Sequence, residues 1–249
     1  MHWQDTGFVL SVRRHGESGA ILSLFTRDHG RAAGFVHGAA SRRLRGVLQP
    51  GNRVTAAWSG RGLETLGHFG VELAEPISAL LLEDALALAA LNAVCAILDS
   101  TMAEREAHAD IFDATGVLLA SLCASPWEEW LALYTRWELG LLSALGFGLD
   151  LSRCAVSGAE NGLEYISPKT GHAVTAAAAG AYAPRLLRLP SYLGGARDYP
   201  IRDQLADGLA LGRHFLEKRL FADRGRRLPQ ARILLEERFF AASGKTADI

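Results

Sequence analysis

Apolar and polar positions alternate along "GFVLSVRR" (7–14), placing Phe8, Leu10 and Val12 on one face and Val9, Ser11 and Arg13 on the other. That alternation predicts a β-strand. "HGESG" breaks the pattern and "AILSLFT" (20–26) begins a second strand. "RDHG" then turns the chain into "RAAGFVHGA", a hairpin signal that requires Gly30 at positive φ. "QPG" at 49–51 precedes a strand in "NRVTAAW", and "SGRG" at 59–62 leads into a last one around "LETLGHFGVEL". Five short strands in about 75 residues, with glycine at the bends, fit a small closed barrel.

The periodicity changes at Pro76, a residue suited to opening a helix. From there to about Phe147 the pattern is helical. In "WEEWLALYTRWELGLLSALGFG", Trp127, Trp130, Tyr134, Trp137, Leu141 and Leu145 recur at helical spacing behind a Ser125-Pro126 start. A stripe of this kind reads as core. "GFG" (146–148) stops the helix, and a turn-rich segment follows from 154 to 174. Further helices are expected near 199–222 and 228–242, with the terminal "SGKTADI" frayed.

Composition adds little except through charge. Hydrophobic residues make up 49% of the 249 residues and charged residues 21%, enough for a globular core. The most apolar run, Ala85–Leu98, is short for a membrane span, and "MHWQDTGFVLSVRRHG" has no apolar leader, so a cytoplasmic protein is expected. Cys95, Cys123 and Cys154 form no disulfide pattern, and the first two read as core. The net charge of −1 conceals a strong asymmetry. Residues 1–63 sum to +6, 64–164 to −13 and 165–249 to +6. Two basic ends around an acidic middle suggest a polyanionic partner.

The basic N-terminal stretch carries the clearest chemistry. Ser41-Arg42-Arg43-Leu44-Arg45 presents three guanidinium groups within four residues, between two expected strands. Arginines, glycine-exposed backbone N–H groups and hydroxyls are the usual contacts to phosphate. Arg14, Arg27, Arg31 and Arg53 extend the set. Phe35, His37 and Trp58 flank it, either as base-stacking surfaces or as barrel core. A second cluster, "RHFLEKRLFADRGRR", with Arg219 and Arg226, either extends a nucleic-acid track or is a solvated helix face.

The segment from Cys154 has the turns of a zinc ribbon without its ligands. The four ligand slots would be Cys154, Ser157, Thr175 and Ala178, and one thiolate cannot hold zinc. No metal or other cofactor is therefore expected, with Tyr165, Ile166 and Val174 packing in its place. Phosphate-binding loops, metalloprotease helices and nucleophile elbows are absent from the sequence, which argues against an enzyme.

Taken in order, "GESGAILSLFTRDHGRAAGFVHGAASRRLRGVLQPGNRV", "YTRWELGLLSALGFGLDLSRCAVSG" and "YISPKTGHAV" resemble the RecO family of bacterial recombination mediators. The resemblance covers almost the whole chain. It implies an α+β architecture: an OB-fold barrel over 1–75, then a helical domain over 76–249 with a degenerate, metal-free zinc-ribbon-like insertion at about 150–180. It also implies binding of single- and double-stranded DNA, strand annealing, work with RecR, and assistance to RecA loading on DNA coated by single-stranded-DNA-binding protein. A nucleoid-associated location follows from that role. Arg136 matches the family's arginine in "R-x-E-L", where the tail of that coating protein would dock beside Ala132, Gly140 and Ser143. An intramolecular pair of Arg136 with a nearby acid is the competing reading. Rival functions are an OB-fold RNA-binding factor and a protein-interaction scaffold.

Overall fold

A computed structural model describes residues 1–62, 66–222 and 225–242. The start of the fifth expected strand (63–65), Arg224 in the second basic cluster and the terminal 243–249 lie outside the described residues. Five strands, β1 (His2–His15), β2 (Gly19–Thr26), β3 (Gly30–Val36), β4 (Arg53–Ser59) and β5 (His68–Glu75), close into a barrel in the order β1-β2-β3-β5-β4. The seam is a parallel pairing of β3 with β5 at Phe35 and His68; the other neighbours are antiparallel. Helix α1 (Arg42–Val47) joins β3 to β4. Gly30 takes φ +66° in the β2–β3 turn, as the hairpin signal requires, and a Cβ there would lie 2.1 Å from the Glu106 carbonyl oxygen.

The barrel core gathers Val9, Leu22, Leu24, Val36, Val54, Trp58, Phe69 and Val71, with Leu44, Val47 and Leu48 contributed by α1 and its end. Simple alternation along β1 does not survive intact. Phe8, Val9 and Leu10 are all buried, and the β1–β2 register shifts between Val9 and Ser11. Both faces are covered because helices lie on the outside of the barrel. Phe8 meets Phe112 at 4.8 Å between ring centroids, and the Cys95 thiol donates to the Val9 carbonyl. Burial pushes that thiol up to about 12. Cys123 is exposed, contrary to the expectation that it is core.

The helices on the barrel follow Pro76, which caps the short α2 (Ile77–Leu80). They are α3 (Ala85–Thr101) and α4 (Ala109–Ala124). The Asp84 side chain accepts from the N–H groups of Leu86 and Ala87 at the start of α3. The last helix of the chain, Gln230–Ala241, packs along α3. Compactness therefore groups residues 1–124 with the segment from Pro229 onward, and 125–228 form a second unit. Within the first unit, α3 and α4 cover apolar surface on β1 and β2.

In the second unit α5 (Trp127–Ala144) buries Trp130, Tyr134, Trp137 and Leu141, the expected stripe. Gly146 at φ +85° ends it. A three-stranded sheet follows, ordered β7-β6-β8, from β6 (Leu163–Ile166), β7 (Ala173–Thr175) and β8 (Leu187–Arg188). Ile166 and Val174 are buried and Tyr165 is half-buried. A one-turn α6 (Ala176–Ala179) and α7 (Ile201–Phe215) complete the unit, with α7 against α5 and continuing into a π-turn, Leu216–Phe221. The terminal helix Gln230–Ala241 is then α8. Among the described residues no helix is long and apolar enough to cross a membrane.

Candidate nucleic-acid interface

Helix α1 presents its arginines for a local reason. Ser41 caps it, its hydroxyl accepting from the Leu44 N–H at 3.3 Å. Leu44, Val47 and Leu48 are drawn into the barrel core, so Arg42, Arg43 and Arg45 are left exposed on the other side. None of the three makes an ion pair among the described residues. Neither do Arg13 and Arg14 at the end of β1, which are also exposed. The two sets are neighbours: the Ala40 N–H donates to the Ser18 carbonyl at 3.2 Å, tying the loop before α1 to the β1–β2 turn. Arg14 and Arg45 line one groove of about 470 Å³ between them, with Gly16, Gly19 and Gln49.

The remaining N-terminal arginines are placed differently. Arg27 lies bidentate on Asp113, at 3.0 and 3.2 Å, with Asp28 beside it, and those carboxylates raise its pKa. Arg31 donates to the Met102 carbonyl at 2.9 Å and to Glu104 at 3.1 Å, with Asp99 at 3.8 Å. Arg53 bridges the Thr6 hydroxyl and Glu75. Arg27 and Arg31 thus tie the barrel to the helices outside it, and Arg53 ties strand to strand, each with a carboxylate that weakens the field a phosphate would feel. Trp58 is corrected from a DNA contact to barrel core. It is 2% exposed, and its indole N–H is directed at the Ala33 and Leu66 carbonyls. Its alternating position on β4 points it inward, where no base can reach.

In the second unit Arg219 donates to the carbonyls of Phe147, Gly148 and Thr170. Those bonds direct its guanidinium donors to the backbone of its own unit. Arg226 is exposed. Arg136 is also exposed, with Nε and Nη2 both on the Tyr192 carbonyl, so its partner is intramolecular, a carbonyl rather than an acid.

Cys154 and Ser157 lie on one turn, and Thr175 and Ala178 on another. The Ser157 N–H donates to Cys154 Sγ at 3.5 Å, and the Ala178 N–H donates to Thr175 Oγ1 at 3.3 Å. Each knuckle thus keeps its closing bond, and Cys154 Sγ and Thr175 Oγ1 face each other at 3.7 Å. Burial opposes ionisation of Cys154, but hydrogen bonds from Ser157, Thr175 and Val156 outweigh it and hold the thiol down to about 6. Among the described residues no group of three or more His, Cys, Asp or Glu side chains is placed to hold a metal ion.

Nothing in the local sequence pattern gives Arg13, His15 or His68 a functional place. The antiparallel pairing of β1, β2 and β3 brings His15 to Phe35, and barrel closure, which pairs β3 with β5 across 33 positions of sequence, brings His68 to Phe35 and His37.

A five-stranded closed barrel with a short helix between its third and fourth strands, flanked by unpaired arginines, defines an OB-fold protein with a basic face. Residues 1–75 match the model for "Recombination protein O N terminal" and residues 82–227 the model for "Recombination protein O C terminal". The chain belongs to the RecO family. It is 47% identical over 241 residues to the "DNA repair protein RecO" of Rhodospirillum centenum, covering 96% of this chain and 95% of that one. It is 47% identical over 238 residues to the protein so named from Cereibacter sphaeroides, covering 95% and 98%. Against that of Rhodospirillum rubrum the identity is 44% over 242 residues, covering 96% of each.

Proposed function

We propose that this protein is a DNA repair protein that acts as a recombination mediator without turnover chemistry. It binds single- and double-stranded DNA, anneals complementary strands and, with RecR, assists RecA loading on strands coated by single-stranded-DNA-binding protein. The observation that carries this reading is the set of exposed arginines without ion pairs, Arg13, Arg14, Arg42, Arg43 and Arg45, gathered at the β1–β2 turn and α1. Two phosphate backbones repel, and guanidinium groups that take up phosphates lower that barrier to annealing. The relatives' shared name, a DNA repair protein, supports the same reading. In it the ribbon folds without metal, its two turns joined by the Cys154–Thr175 contact. The tail of the coating protein docks on the exposed face of α5 that bears Arg136, Gly140 and Ser143.

The test is single-stranded DNA binding by fluorescence anisotropy across a salt series, wild type against an Arg42/Arg43/Arg45→Ala variant. Wild-type affinity should fall steeply with salt. The variant's log–log slope should be shallower by roughly two units, about 0.7 for each lost phosphate contact on a single strand. An unchanged slope would remove α1 from the interface. A clear preference for RNA of the same sequence would move the assignment to an RNA-binding factor.

A further inference from the structure

We propose that His15, Phe35, His37 and His68 form a platform on which unpaired bases stack, so that the barrel holds single strands through their bases as well as their phosphates. This rests on the DNA-binding reading above and adds to it a means of telling single strands from duplex. The Phe35 ring is the hub. His37, His15 and His68 meet it edge-on, at 4.7, 5.9 and 6.0 Å between centroids. His37 and His68 are themselves stacked, at 5.1 Å and 12°. All three imidazoles are exposed while Phe35 is half-buried, so a half-buried aromatic floor carries a parallel pair of exposed rings.

The placement is built into the barrel. Phe35 lies over Gly19, where a Cβ would come within 2.2 Å of its ring, and the Phe35 N–H donates to the Gly67 carbonyl at 2.9 Å. His15 ends β1 and His68 opens β5, so the platform lies between the β1–β2 and β4–β5 connections, which flank the oligonucleotide-binding face of this architecture. It adjoins the unpaired cations, since Arg13 and Arg14 directly precede His15 and α1 begins five residues after His37. A metal site is the other use for clustered histidines, but these rings meet through their faces and edges, and no ligand set of three or more is formed among the described residues. Every base has a π-face, so stacking suits a protein that must bind strands of any sequence. In a duplex those faces are occupied by neighbouring bases.

The experiment compares two labelled single strands on the full chain at fixed salt. One is oligodeoxythymidine about 16 nucleotides long, and the other is an abasic strand of equal length and charge. Wild type should bind the base-bearing strand roughly tenfold more tightly. Replacing two exposed rings in a His37→Ala/His68→Ala variant should bring that ratio near one while leaving affinity for the abasic strand within about twofold. A His37→Phe/His68→Phe variant, which keeps aromatic faces without imidazole, should restore the ratio. Equal wild-type affinity for both strands overturns the platform and leaves phosphate binding standing. So does a double-alanine variant that weakens both strands equally, since the imidazoles would then act as charge or scaffold. Wild type that binds neither strand overturns the DNA reading itself.

Discussion

The guanidinium groups of α1 are exposed and meet no carboxylate among the described residues, whereas that of Arg219, in the second unit, is closed in by three backbone carbonyls. Formal charge counts the two regions alike. What separates them is where the donors go. Arg42, Arg43 and Arg45 keep both charge and planar fork for a phosphate, while Arg219 keeps its charge but has lost the fork to the fold. Arg31, in the barrel, has lost both, since Glu104 and Asp99 also neutralise it. A cluster of basic residues therefore keeps its donors for a partner only where packing leaves the side chains nothing to bind.

The sharpest test of that difference is Arg31→Ala. Arg31 is 20% exposed and joins β3 to the segment after α3, so its loss should destabilise the protein by about 2–3 kcal/mol, read as a shift in denaturant midpoint. Single-stranded DNA affinity and its salt slope should stay at the wild-type value. A variant that is stable yet binds DNA with a slope shallower by about one unit would place Arg31 in the interface and erase the distinction.

Much of the architecture was legible from period alone. Local alternation, Gly30 and the Pro76 break predicted the barrel and its end, and the stripe from Trp127 predicted α5 nearly to the residue. "SRRLRG" was readable as a basic cluster but not as a helix, because six residues are too few for a helical period and the segment holds its shape through Leu44 and Val47 in the barrel core. The fate of each arginine was not legible. The acids that neutralise Arg27 and Arg31 lie 86 and 73 positions away, and only packing of α3 and α4 on the barrel brings them close. Trp58 failed for a related reason, since an aromatic on a strand can face either way until closure decides which side is inside. Phe35 and His37 were readable as aromatics beside the basic cluster, but their meeting with His15 and His68 was not, because these residues sit at the ends of three strands.

Arg219→Ala probes the second region. Three charge-assisted bonds tie the π-turn Leu216–Phe221 to the end of α5 and to the ribbon, and Gly171 leaves room for Arg219, as a Cβ there would lie 2.4 Å from Nη2. The expected loss is about 2 kcal/mol, with the salt slope of DNA binding unchanged. A slope lower by about one unit with unchanged stability would reassign the residue to the nucleic-acid track.

Like Arg219, Cys154 has its side chain held within the fold, here by donors from Ser157 and Thr175. Its thiol is held at about 6 against an ordinary value of 9, so the folded state favours the thiolate more than the unfolded chain does. The sign follows from linkage. This contribution is complete above pH 9, shrinks as pH falls below that value, and is lost as pH falls through about 6. Ser157→Ala removes the largest of the donors that favour the thiolate. The variant should melt about 2 °C below wild type at pH 9, with the gap narrowing toward pH 5.5 as both thiols become protonated. A gap that stays constant from pH 9 to 5.5 would mean that Ser157 contributes packing alone, and that the ribbon is held by its turns and the Ile166–Val174 side of its sheet without help from an ionised sulfur.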